Sequence, residues 1–432
     1  MKHRGRHRRR KRGRALRAAL TGAGLALTAA ATLISASQAD TVADDPGALK
    51  PLAASAADEL SLTEHRVPQR WLDRLASAMG GPVGVGAVLD TADHTLRDAA
   101  DCSAGERETL PVAPAATRVY CWDDGDTRGW RPGAVTTSGD ADDDGRWGGN
   151  RVIISAWSRE DGTADGGLAR ISFVDADDPG HLEYASALLA VPVDGGRDYR
   201  GLSSPVSGMV WYRDKLLVTT GAGDRNALYV YDVDRIQRTT SDAGAVGRVP
   251  GGWAAHGHRY VLPAVASYGL PDTPGAARPG AISLDRGTAP DSLVAAERVP
   301  AGAGRPTRLW RYALGTDPAR AGLPAADSAG QVTALEAYET QAAEVGGVLS
   351  HRPAGVPTTD WYLGRAAEGR GTLWRQSTEG ARSTECGADR SHRCWSAPAG
   401  SLSYWAETGE VWSQAGRTLF ALPLATVHDS LA

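Results

Sequence analysis

From about residue 117 onward the chain is a succession of short apolar or alternating runs, each cut off by Gly, Pro or Asp. That pattern predicts strands and turns rather than helices. One run recurs: a small or basic residue, then Leu, then alternating aromatic or branched residues. It is seen as "GLARISFVD", "ALYVYDV", "RLWRYAL", "TLWRQ" and "TLFALPL", with leucines at 168, 228, 309, 373 and 419, spaced by 60, 81, 64 and 46 residues. Upstream of each lies a second run: "RVIISAW", "KLLVTT", "DSLVAAE", "TDWYLG" and "GEVWSQ". Earlier still, in several units, come "SGMVWY", "GAISL", "GGVLS" and "GSLSYW".

Five units of three or four antiparallel strands, joined by loops of unequal length, predict an all-β chain folded as a five-bladed β-propeller. A single unit cannot bury both of its faces, so the units must stack on one another and share cores. A large β-sandwich is the competing architecture, but sandwiches seldom carry a recurring unit of this length. The last unit is short, and "TRVYCW" (117–122) is expected to supply its missing strand and close the ring. The propeller is thus assigned to 117–432. Ahead of it, 61–116 forms an N-terminal extension whose Trp71, Leu75 and Met79 predict one short amphipathic helix ended by Gly80 and Gly81. Residues 40–60, rich in Ala, Asp and Pro, read as a flexible linker.

The first 39 residues stand apart. Ten Lys or Arg precede the apolar run "AALTGAGLALTAAATLI", and "SASQA" places small residues at 37 and 39. This is a secretory signal peptide, with cleavage expected near Ala39 and no stable membrane span. Without those ten cations the chain carries 37 basic against 51 acidic side chains, a net of −14. So acidic a protein disfavours nucleic acid as a partner. The four cysteines suit an exported protein, and the short separations favour the disulfides Cys102–Cys121 and Cys386–Cys394 over a zinc site.

The runs "AVTTSGDA", "SGMVWYRDKLLVTT", "LYVYDVDRI", "RYVLPAV" and "LSYWAETGEVWS" resemble those of uncharacterised actinobacterial secreted proteins with β-propeller-like repeats. The resemblance covers most of 110–425. It implies export and architecture and carries over no catalytic residue.

Candidate chemistry is sparse. Asp140, Asp142 and Asp144 followed by Gly145 match the first half of an oxygen-rich Ca2+ loop, in which alternate carboxylates face one point. Arg151 stands where an EF-hand needs an acid. The stretch "GDADDDG" also resembles the calcium loops of integrin-type propellers, with Gly148 where that pattern wants an acid. The loop therefore reads as an acidic turn able to take Ca2+ weakly. His256 and His258, two apart, would share one face of a strand. Asp285, Asp291, Glu297 and Asp360 are the acids available to a glycosidase pair. Thirteen Trp and twelve Tyr against two Phe raise the possibility of a stacking rim at Trp211, Trp361 and Trp405, although packing between blades explains them as well. The expected function is a non-enzymatic extracellular binding or scaffold module, a monomer whose ligand, carbohydrate among the candidates, sits at the central channel or on a loop rim. A secreted glycan hydrolase and a calcium-stabilised adhesion module are the alternatives.

Overall fold

Each leucine-bearing run forms or leads into the third strand of a four-stranded antiparallel sheet, in a computed structural model that describes residues 45–160, 167–352, 358–388 and 390–431. Blade 1 comprises Trp130–Thr137, Val152–Arg159, Ala169–Asp175 and Glu183–Val193. Blade 2 comprises Met209–Tyr212, Lys215–Thr219, Asn226–Asp232 and Tyr260–Gly269. Blade 3 comprises Pro279–Asp285, Ser292–Glu297, Thr307–Ala313 and Ala334–Thr340. Blade 4 comprises Val345–His351, Asp360–Arg365, Thr372–Ser377 and Gly380–Ser383. Blade 5 takes Ser403–Trp405, Glu410–Ala415 and Thr418–Pro423 from the C-terminal end, and its fourth strand, Arg118–Cys121, from the N-terminal side. The expected closing strand is therefore present, with Thr418 opposite Cys121 and Ala421 opposite Arg118.

The second and third strands are nearly unbroken apolar runs because each blade is covered on both faces. Val152–Arg159 is buried along seven consecutive residues. The core is accordingly divided into five clusters, one between each successive pair of blades. Ile154, Phe173, Trp211 and Tyr229 join blades 1 and 2. Val210, Leu228, Ile282 and Trp310 join blades 2 and 3, and Val294, Leu309, Val348 and Trp361 join blades 3 and 4. Leu349, Tyr362, Val411 and Phe420 join blades 4 and 5, and Trp157, Ile153, Trp405 and Trp412 complete the ring between 5 and 1. The inner strands approach closely enough to require glycine. A Cβ on Gly133 would strike the carbonyl of Val206, and one on Gly347 would strike that of Gly400.

The predicted helix spans Gln69–Met79 and stops at Gly80, whose φ of 93° is left-handed. Leu75 and Met79 enter the core between blades 5 and 1. Leu62–Arg66 is instead a strand paired with the outer strand of blade 2. The segment expected to be a linker, 40–60, is structured where it is described: Leu49 is buried between blades 3 and 4, and Lys50–Pro51 pairs with Glu339 and Tyr338. Its scattered leucines supply the burial that its polar composition conceals. Leu60 has no exposed surface. The signal-peptide segment, 1–39, lies outside the described residues. No described helix is long and apolar enough to cross a membrane.

Both expected disulfides are formed, Cys102–Cys121 and Cys386–Cys394, with sequence separations of 19 and 8. Cys121 lies on the closing strand, so the first bridge ties that strand to the extension. Replacing Cys102 and Cys121 by Ala is expected to lower stability by about 3 kcal/mol, from loop entropy alone. Urea denaturation of the double variant beside the Cys386/Cys394 pair checks this, and the longer loop should give the larger loss.

Candidate functional site

The inner strands meet around a common axis, linked pair by pair. Trp211 N donates to Thr136 Oγ1 at 2.9 Å, and Ser207 Oγ donates to the Gly280 carbonyl at 2.5 Å. Ser350 Oγ donates to Asp285 Oδ2 at 2.7 Å, the His351 and Tyr404 rings lie 5.2 Å apart, and Val135 N donates to Ser401 Oγ at 2.7 Å. The acids near the axis gather at the end where these strands finish. At the other end is a cavity.

The aspartate loop belongs to the acidic end, and it is a folded turn. Asp140 sits in a single helical turn, Ser138–Ala141, with its carboxylate inside the protein. Oδ2 accepts from Thr136 Oγ1 at 2.7 Å and from Ser403 Oγ at 2.8 Å, so it joins blade 1 to blade 5. Burial pushes its pKa up to about 6, against the pull of those two hydroxyls. Asp142 and Asp144 instead cap the turn, accepting from the backbone N–H groups of Asp144 at 3.4 Å and Arg146 at 2.8 Å. Asp143 pairs with Arg286, whose Nη2 also donates to the Asp140 carbonyl at 2.7 Å. The carboxylates of Asp140, Asp142 and Asp144 are not among the described groups of three that converge. Spacing alone suggested convergence; a buried pair of hydroxyls draws the first of them inward.

The other sequence candidates are likewise engaged. Asp285, 3 % exposed, accepts from Arg311 Nη1 at 2.6 Å as well as from Ser350. Glu297 receives Arg305 Nη1 at 2.8 Å and Arg308 Nε at 3.0 Å; burial would raise its pKa, but these hydrogen bonds outweigh it and hold the carboxyl below its usual range. Asp291 accepts from Tyr212 OH at 2.8 Å, while Asp360 lies at the start of a blade 4 strand, opposite His351. Trp211, Trp361 and Trp405 are only 0, 1 and 2 % exposed, so their faces are closed to a ligand. They pack between blades, Trp211 against Trp147 and Trp405 against Trp412. His256 and His258 do not share a strand face, because His256 has a φ of 52° in the turn after Gly252–Ala255. Asp214, Asp232 and Asp234 do bring three carboxylates together, but Lys215 Nζ already pairs with Asp214 and, at 3.2 Å, with Asp232.

The cavity at the opposite end encloses about 270 Å³ and is walled by all five blades. Gly133, Ser207, Arg298, Gly346 and Gly400 represent blades 1 to 5 in that order. Among the described residues three arginines line it, Arg131, Arg159 and Arg298, and no acid does. The first two come from one hairpin of blade 1, in which Arg131 lies opposite Ser158 and Arg159 opposite Trp130. Arg159 lies over the Trp130 ring at 5.4 Å, and its Nε is buried with no hydrogen-bond partner among the described residues. Gln414, 2 % exposed, accepts from Ser155 Oγ, and its Nε2 likewise has no partner among them. Sequence reasoning missed this mouth. Pairing of the first two strands of blade 1 could have joined Arg131 to Arg159, but nothing local marks Arg298.

This geometry defines the class, a five-bladed β-propeller with an axial cavity. No protein-family model matches the chain, and no curated protein does. Among solved structures it is similar to "Drosophila Plexin A in complex with Semaphorin 1b", at 10% identity over 65% of this chain and 72% of that one, with a TM-score of 0.28. At that level the likeness carries no functional argument; the assignment above rests on strand order and on the five shared cores.

Proposed function

We propose that the protein is a non-enzymatic extracellular binding module whose ligand occupies the axial mouth. One observation carries the reading: the cavity is formed jointly by five blades, so side chains from remote parts of the sequence converge on a single ligand-sized space. Export is supported by the N-terminal pattern and by two disulfides in a chain without free cysteine. The resemblance to secreted actinobacterial proteins points the same way. The hydrolase alternative requires two opposed carboxyl groups flanking a substrate. Here Asp140, Asp285 and Glu297 are buried and held by hydroxyls or guanidinium groups, and none of them lines the mouth.

The test is a thermal-shift screen of neutral and acidic mono- and oligosaccharides, with soaked crystals to locate any hit. A ligand that binds only the folded protein raises the unfolding temperature, and its density should lie among Gly133, Ser207 and Gly400. Release of new reducing ends from any glycan in the panel would refute the non-enzymatic reading.

A further inference from the structure

We infer that the mouth takes one sugar ring bearing a carboxylate, a hexuronate, either free or at the end of an acidic polysaccharide; this rests on the binding reading above and specifies its ligand. The first argument is charge. The chain is acidic, 37 basic against 51 acidic residues once the first 39 are removed, yet among the described residues this cavity is lined by three arginines and no Asp or Glu. Clefts lined by one sign of charge concentrate the opposite sign. The guanidinium fork also matches a carboxylate bidentately.

The second argument is availability. Arg131 and Arg298 are themselves exposed: Arg131 holds the exposed Glu160 at 3.8 Å, and Arg298 holds the half-buried Glu344 at 3.2 Å. An exposed pair such as Arg131–Glu160 is weak, so a ligand carboxylate competes with it at little cost; Arg298 keeps Nη1 free of Glu344, which engages Nε and Nη2. Arg159 is the least exposed of the three cations, its guanidinium carbon 5.4 Å from the centre of the Trp130 ring and its Nε without a partner among the described residues. A buried donor without a partner is costly, which makes it a natural anchor for an anion.

The third argument is size and lining. At about 270 Å³ the space holds roughly nine waters at ~30 Å³ each. That suits a single ring and falls just below the usual range for drug-sized ligands. Pro132, Pro205, Val206 and Pro398 offer apolar surface for the C–H face of a sugar. The Gln414 amide offers a hydrogen-bonding end for a ring hydroxyl: whichever way the amide is turned, Ser155 engages one end only. An inorganic anion would use the arginines and leave the rest of this wall idle.

The experiment is isothermal titration of the full mature chain with galacturonate, trigalacturonate, galactose and inorganic phosphate, at low and at physiological salt. It is repeated on Arg159→Gln, on Arg298→Gln and on Arg382→Gln, a control far from the mouth. Arg298 is a surface residue, so its variant keeps the test valid even if Arg159→Gln folds poorly. Galacturonate is expected to bind more tightly at low salt, with galactose and phosphate each at least tenfold weaker. Each mouth variant should lose about tenfold to a hundredfold, the usual worth of a charged hydrogen bond, while Arg382→Gln loses nothing. Tighter binding of the trisaccharide assigns the site to a chain end and equal affinity assigns it to the free acid; either result upholds the inference. If galactose matches galacturonate and the arginine variants bind normally, the acidic ligand is wrong while the mouth reading stands. If phosphate matches galacturonate, the sugar ring is wrong. If no probe binds, and a soaked crystal of another hit shows density away from the mouth, both readings fall.

Discussion

Arg311→Met is expected to cost about 3–5 kcal/mol of stability at neutral pH, because it strands a buried carboxylate. Arg311 is 3 % exposed and sits where blades 3 and 4 meet. Nη1 donates to Asp285 Oδ2 at 2.6 Å and to Ser292 Oγ at 3.2 Å; Nη2 donates to Ser350 Oγ at 3.1 Å, and Nε donates to Glu336 Oε1 at 2.5 Å. The guanidinium also lies 5.2 Å from the centre of the Trp361 ring. One side chain thus links three strands of one blade to the next blade. Methionine keeps the volume and removes every polar link, leaving Asp285 with a hydroxyl and a backbone N–H for its charge. The double variant Arg311→Met, Asp285→Asn should recover most of the loss, since a neutral pair no longer carries an unpaired charge. Urea midpoints of the two single variants and the double give the coupling. If the single variant unfolds within 1 kcal/mol of the parent, on the order of an ordinary surface substitution, the network is not holding the blades.

The second large effect concerns acid. His258 is held neutral, first by burial and then by the Arg170 cation, with a pKa of about 3 in the folded protein against 6.5 for the free side chain. Below pH 6.5 the unfolded chain takes up a proton that the folded chain refuses, so stability falls as pH drops from 6.5 towards 3. The loss is on the order of 4–5 kcal/mol at its full extent. Asp140 acts in the opposite sense. Its folded pKa is about 6 against 3.8, so between those values the folded state holds the extra proton and stability falls as pH rises, by roughly 3 kcal/mol. The two slopes oppose each other between pH 4 and 6. His258→Asn should flatten the acid limb; Asp140→Asn should raise stability above pH 6, provided the amide keeps its contacts to Thr136 and Ser403. Denaturation series from pH 4 to pH 8 on both variants separate the contributions, and parallel curves for parent and variants would sink the assignment.

Much of the architecture is legible because strand order in a propeller repeats along the sequence. The leucine runs mark third strands, the runs before them second strands, and "TRVYCW" the clasp. What escaped is tertiary in origin. Leu49 and Leu60 look like punctuation in a polar stretch until blades 2 to 4 bury them. Asp140 looks like the first ligand of a loop until Thr136 and Ser403 claim its oxygen. Trp211 and Trp405 on inner strands and Trp361 on a second strand look like a rim, yet the faces of these strands are where blades pack together, and the indoles go inward. The mouth was hidden for a related reason: two of its cations come from one hairpin of blade 1 and the third from blade 3, and none stands out alone.

The clasp also sets an order of events. The strand that completes blade 5 is made before any of the blades, and its partner Thr418–Pro423 is nearly the last segment of the chain. A chain delivered from its N-terminus therefore emerges as an open arc, with Arg118–Cys121 waiting for its neighbour until the four blades between them have emerged. A truncation that removes only the final fifteen residues takes away less than a blade, but it leaves the circle without a lock.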